Sequence, residues 1–170
     1  MNGNIFLVGL MGAGKTTVGK VLAKHLSKTF YDSDHEIEKR TGVKIPHIFE
    51  IEGETGFRAR ETSVIDDLTR LEQIVLATGG GAILNQQNRE ALSQQGVVIY
   101  LRASVDDLWH RTRHDKNRPL LQTQDPQAKL RELFAQRDPL YQEIADIIID
   151  TSKQSVQSLV HQLEQKLAQL

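Results

Sequence analysis

Five apolar residues, Ile5 to Gly9 (IFLVG), run directly into Leu10-Met11-Gly12-Ala13-Gly14-Lys15-Thr16 and then into a helical pattern. Gly9, Gly14, Lys15 and Thr16 satisfy G-x-x-x-x-G-K-[ST] between a strand and a helix. Glycines in that arrangement let the backbone wrap around phosphates with its N–H groups turned inward. A lysine supplies a point charge to the outer phosphates, and a threonine hydroxyl can ligate Mg²⁺. The helix that starts there adds its positive end to the anion site. A strand–loop–helix opening of this kind commits the chain to alternating strands and helices. Its loop holds the tail of a nucleoside triphosphate.

The rest of the chain keeps that alternation. Further apolar runs lie at Thr29–Asp32 (TFYD), Gln73–Thr78 (QIVLAT), Val97–Leu101 (VVIYL) and Ile147–Asp150 (IIID). With Asn4–Gly9 they make five strands, each nearly continuous in apolar character, as strands covered on both faces are. Helical patterns separate them. Lys15–Lys28 aligns Val18, Val21, Leu22 and Leu26. Phe57–Leu71 aligns Phe57, Val64, Ile65, Leu68 and Leu71. Ser155–Leu170 aligns Val156, Leu159, Val160, Leu163 and Leu167. Asn85 is placed to cap a helix that Gly96 closes. Ser104 with Asp107 reads as a capping box, and Pro126 and Pro139 suit first helical turns. Five strands alternating with helices imply a parallel sheet with helices on both faces.

Composition removes several function classes. With no cysteine, the chain has no disulfide, thiolate metal site or cysteine nucleophile. Its formal net charge of −1 gives no basic field for nucleic acid or an anionic membrane. No apolar run reaches membrane-spanning length. The expectation is one domain over residues 1–170, in a soluble cytoplasmic protein. The least regular stretch, Arg111–Pro126 (RTRHDKNRPLLQTQDP), reads as a mobile lid.

Asp32-Ser33-Asp34 falls where the second strand should end, on the carboxyl edge that forms the ligand crevice of such sheets. One carboxylate can face the metal and the other a substrate hydroxyl. Alternatively, Asp34 merely caps the helix ending at Gly42. Many phosphate-loop hydrolases end a buried strand in the carboxylate that serves the metal. Here the corresponding run ends in Thr78 and three glycines, so Asp32 is the available metal-side carboxylate. Gly79, Gly80 and Gly81 can bring bare backbone close to a small ligand. Arg58 and Arg137 read alone as solvated charges, although a planar guanidinium at either position could grip a carboxylate bidentately in a way lysine cannot.

The set GLMGAGKTTVGK, DSDHEIEKRTG, IFEIEGETGFRARE, ATGGGAI, RPLL and RDPLY resembles the shikimate kinase family over essentially the whole chain. The resemblance implies a three-layer α/β sandwich with strand order 2-3-1-4-5, like nucleoside monophosphate kinases, and a lid near residues 111–126. It implies transfer of the γ-phosphoryl of ATP to the 3-hydroxyl of shikimate, on the way to chorismate, by a monomer using one Mg²⁺. It places Gly12, Ala13, Gly14, Lys15, Thr16 and Thr17 around the nucleotide. Arg111 would lie against the adenine, and Arg118 would reach the transferring phosphate. Thr16 would bind the metal, and Asp32 would hold it through water. Asp34 would bind the shikimate hydroxyls and accept a proton, making Lys15, Asp34 and Arg118 the catalytic set. Arg58 and Arg137 would bind the carboxylate, and Gly79–Gly81 would form the pocket wall. Met11 receives no role. Two other readings remain: a kinase of another carboxylated polyol, such as gluconate, and a nucleotide-binding regulatory module with no acceptor.

Overall fold

The computed structural model describes residues 3–115 and 118–170; Lys116 and Asn117, inside the expected lid, lie outside the described residues. Five strands form one parallel sheet. They are β1 (Asn4–Val8), β2 (Thr29–Asp32), β3 (Ile74–Ala77), β4 (Gly96–Arg102) and β5 (Ile147–Asp150), in the order β2-β3-β1-β4-β5. Ile5 pairs with Val75 on one side and Val97 on the other, and Ile99 with Ile147. The helices are α1 (Lys15–His25), α2 (Ser33–Thr41), α3 (Ile45–Thr69), α4 (Gln86–Gln95), α5 (Val105–Thr112), α6 (Pro126–Ile144) and α7 (Val156–Ala168).

Burial follows position in the sheet. Every residue of β1 and β3 is buried, because both flanks carry strands and both faces carry helices. The edge strands depart from the expectation of cover on both faces. β2 is only partly buried and β5 alternates, leaving Ile148 about half exposed. Their runs are apolar enough to pair but lack a neighbour on one side.

Several local rules hold. Asn85 caps α4 by accepting from Gln87 N, Ser104 caps α5 by accepting from Asp107 N, and Ser155 caps α7. Two expectations fail. The helix expected from Phe57 to Leu71 runs from Ile45 to Thr69 and bends at Gly53, whose φ of 70° and ψ of −176° are not helical. The bend breaks the helical phase, so the side chains of the first arm fit no continuous stripe with those after Phe57. Pro139 lies inside α6 rather than in a first turn. It removes one N–H from the helix ladder, and the helix continues through it. Residues 111–126 comprise the end of α5, a short 3-10 turn at Pro119–Leu121 and the segments around it. No helix among the described residues is long and apolar enough to cross a membrane.

All five strands point their carboxyl ends the same way. The loops leaving β1, β2 and β3 therefore bring Gly9–Lys15, Asp32–Asp34 and Gly79–Gly81 to one edge.

Candidate active site

Gly14 takes a left-handed conformation (φ 97°) and lets the chain turn directly into α1 at Lys15. The Lys15 ammonium is nearly buried and folds back across its own loop. It donates to the carbonyls of Gly9 (2.6 Å) and Leu10 (2.9 Å). Burial, followed by the nearby Arg118 charge, lowers its pKa to about 8, while Asp34 and Asp32 oppose the shift. Ala13 N–H closes the loop on Leu10 O at 3.1 Å. Thr17 is exposed in the first turn of α1. Arg111 leans on the loop from α5, donating to Gly12 O (3.0 Å).

The Asp-Ser-Asp step excludes the alternative in which Asp34 merely caps the helix. Asp32, not Asp34, caps α2: its Oδ1 accepts from Asp34 N (2.9 Å) and His35 N (3.2 Å). Its Oδ2 accepts the Thr16 hydroxyl at 2.7 Å, joining the phosphate loop to the end of β2. Cap duty falls on Asp32 because it is the last extended residue before the helix. Asp34 is left free to point inward, and its Oδ1 is buried with no hydrogen-bond partner. Burial, then Glu61 and Asp32, raise its pKa to about 7 against the pull of Lys15 and Arg118.

Glu61 faces it. This side chain is 1% exposed, with Oε1 accepting from Arg58 Nη1 (2.9 Å) and Oε2 unpartnered. A Cβ on Gly79 would sit 2.7 Å from Asp34 Oδ1 and 2.8 Å from Glu61 Oε2, so only glycine lets two carboxylates converge there. Gly79 N–H is taken by Ser33 Oγ (2.9 Å). The Arg58 guanidinium lies flat over Gly81, where any side chain would collide with it. Its outer edge meets Glu54 Oε1 at 3.3 Å, an exposed partner.

Arg137 arrives from α6. It is 1% exposed, and its Nε and Nη1 donate to nothing. Desolvation lowers its pKa, and the Tyr141 hydroxyl beside it works in the opposite direction. A buried guanidinium with free donors is costly unless an anion completes it.

These groups line a cavity partly open to solvent, with Met11, Ile45, Phe49, Phe57, Pro119 and Leu120 as its apolar wall. The kinked first arm of α3 supplies Ile45 and Phe49. A second, larger groove opens on the Thr16 and Asp32 side. Asp34 and Arg118 are the two residues that line both spaces. Arg118 is oriented by Asp115 Oδ2 (3.0 Å).

The structure therefore gathers Lys15, Thr16, Asp32, Asp34, Arg58, Gly79–Gly81, Arg118 and Arg137 at one edge, with Arg111 and Gly12 just beyond. Sequence reasoning missed Glu61, Glu54 and Tyr141. Glu61 carried a signal: it stands four residues after Phe57 and three before Val64, a charge inside the apolar stripe of α3. Among the described residues there is no cluster of three His, Cys, Asp or Glu able to hold a metal alone. The donors present, Thr16 hydroxyl and Asp32 carboxylate, are hard oxygens that fit Mg²⁺ completed by water and phosphate. Thr16 gives its O–H to Asp32 and keeps its lone pairs for a cation.

The shikimate kinase family profile matches residues 11–168. The chain is similar to the shikimate kinase of Nitrosospira multiformis, 65% identical over 97% of this chain and 85% of that one. It is also similar to the solved structure of shikimate kinase from Acinetobacter baumannii in complex with shikimate. That likeness has a TM-score of 0.97 and 53% identity over 98% of this chain and 93% of the other. A gluconokinase from Sinorhizobium meliloti shares the fold alone, with a TM-score of 0.63 and 18% identity over 98% and 92% of the two chains.

Proposed function

This chain belongs to the shikimate kinase family, and we propose that it moves the terminal phosphoryl group of ATP to the 3-hydroxyl of shikimate across the boundary formed by Asp34 and Arg118. One observation carries the assignment. The same cavity holds a buried guanidinium with unused donors, Arg137, and a buried carboxylate oxygen with no donor, Asp34. A ligand that satisfies both brings a carboxylate and a hydroxyl. Shikimate has both, and the Acinetobacter baumannii relative was solved with shikimate bound.

In this reading the Gly9–Thr16 loop, through Gly12, Ala13, Gly14 and Thr17, takes the ATP phosphates. Arg111 lies against the adenine. Lys15 leaves the Gly9 and Leu10 carbonyls for the β- and γ-phosphates, whose negative charge further favours its protonated form. Thr16, with Asp32 through water, would hold Mg²⁺, which when bound neutralises charge on the outer phosphates. Gly80 and Gly81 offer backbone N–H groups to the substrate. Asp34 orients the 3-hydroxyl and accepts its proton. Arg118 meets the charge on the phosphoryl group in transit. Closure of residues 111–126 would exclude water, a competing acceptor. Phe49, Phe57 and Leu120 already make one side of the pocket apolar. Residues 1–170 act as one domain, in a cytoplasmic monomer.

Arg58 and Arg137 grip the carboxylate, and the exposed Glu54 is the partner that Arg58 exchanges for it. Arg58→Lys keeps the charge and loses the fork. Hydrogen bonds to charged groups are worth about 1.5–3 kcal/mol, and about 1.4 kcal/mol is tenfold. The KM for shikimate should therefore rise about tenfold while that for ATP stays near wild type. Shikimate methyl ester should be a poor substrate of the wild type and lose less than shikimate on Arg58→Lys. Independent, multiplying losses in kcat/KM would show that Arg58 does not touch the carboxylate.

A further inference from the structure

Beside Arg58, the wall assigned to the substrate's carboxylate end draws on two separate pieces of chain. Arg137 comes from α6, and Gly80 from the loop after β3. Neither is held by the sheet. Arg137 has two nitrogens with no partner, and Gly80 opens the 3-10 turn that follows β3. One buried hydroxyl touches both. Tyr141, 1% exposed, donates its O–H to the Gly80 carbonyl and lies beside the Arg137 guanidinium, near enough to act on its charge. Arg137 Nη1 lies 3.5 Å from the point a Cβ on Gly80 would occupy, so the three groups adjoin one another.

The ring behind that hydroxyl is fixed. It packs on Tyr100 with centroids 4.8 Å apart. Tyr100 donates to Asp138 Oδ1 at 2.6 Å, and Asp138 also takes Arg102 Nε at 2.9 Å. The residue beside Arg137 is thus anchored to β4. Tyr141, one helical turn further on, transmits that anchor to the pocket. The kinase chemistry uses none of this hydroxyl's capacity, and packing alone needs only the ring.

We propose that Tyr141 is a positioning residue. It registers the Arg137 guanidinium against Gly80 so that side chain and backbone meet the substrate's carboxylate end together. It touches no reacting atom. Its loss weakens binding of the acid and leaves phosphoryl transfer intact. The inference rests on the reading of Arg137 as a carboxylate ligand.

The test is Tyr141→Phe, which keeps the ring against Tyr100 and removes the hydroxyl. Leaving Gly80 O without its donor and the Arg137 guanidinium without the hydroxyl beside it should raise the KM for shikimate about tenfold. The kcat should stay within about threefold, and the KM for ATP should not move, since binding energy removed equally from ground and transition states changes KM alone. The ratio of kcat/KM for shikimate to that for its methyl ester is measured within each protein, so partial unfolding cancels. It should fall several-fold in the variant. A wild-type ratio retained in Tyr141→Phe overturns the inference, as does a fall in kcat with KM unchanged. A wild type that does not prefer the acid to the ester removes the carboxylate reading itself, and the inference with it.

Discussion

Arg118→Ala will lower kcat by about 10³- to 10⁵-fold, the worth of an arginine supplied to a phosphoryl-transfer transition state. Arg118 is one of two residues facing both the apolar cavity and the groove beside Thr16. Asp115 steers it, and it lies near enough to Lys15 and Asp34 to shift the pKa of each. A loosely bonded phosphoryl group spreads its charge over the outer oxygens, so a cation placed there acts on the transition state more than on either bound substrate. Both KM values should change little. Steady-state kinetics with each substrate varied in turn will decide it. A variant that loses shikimate affinity and keeps kcat would make Arg118 a binding residue.

Asp34→Asn should cost about 10²- to 10⁴-fold in kcat/KM for shikimate, the usual worth of a general base. Nucleotide affinity should be nearly unchanged. The pH profile separates this role from simple hydrogen bonding. Burial first, then the Glu61 and Asp32 carboxylates, raise the Asp34 pKa to about 7. A proton acceptor works only when ionised. The wild-type kcat/KM should therefore fall as pH drops through about 7, and the residual activity of the Asn variant should lack that acid limb. A kcat within a few-fold of wild type would reduce Asp34 to an orienting group.

The parts of the site set by local chemistry were legible in the sequence. A left-handed turn into α1 requires glycine at position 14, and phosphate binding requires Lys15 and Thr16 beside it. The Gly79–Gly81 loop was recognisable because three bare residues at a strand end let backbone and neighbouring groups approach closely. The parts set by tertiary neighbours were not legible. Whether Asp34 capped α2 or faced the pocket depended on where β2 stopped extending, a matter of two residues. The Gly53 bend hid the arm that brings Ile45 and Phe49 to the cavity, because a helical stripe is read only along an unbroken axis. Pro139 looked like a helix start because the ladder bond it deletes is a local loss, whereas the burial of α6 that outweighs it is not local. The edge strands looked like central ones because composition does not state how many neighbours a strand has. Tyr141 could not be assigned at all. Its meaning lies in one hydrogen bond to a carbonyl 61 residues away.

The central claim is that the phosphate leaves the loop for the acceptor held by Asp34, Arg58 and Arg137. The direct measurement is ADP release from ATP and Mg²⁺ with shikimate, with gluconate and with no acceptor, the products being read by phosphorus and proton NMR. The account predicts ADP release only with shikimate, matched one for one by a phosphomonoester on its 3-oxygen. Equal ADP release without acceptor, or with gluconate in its place, would contradict it.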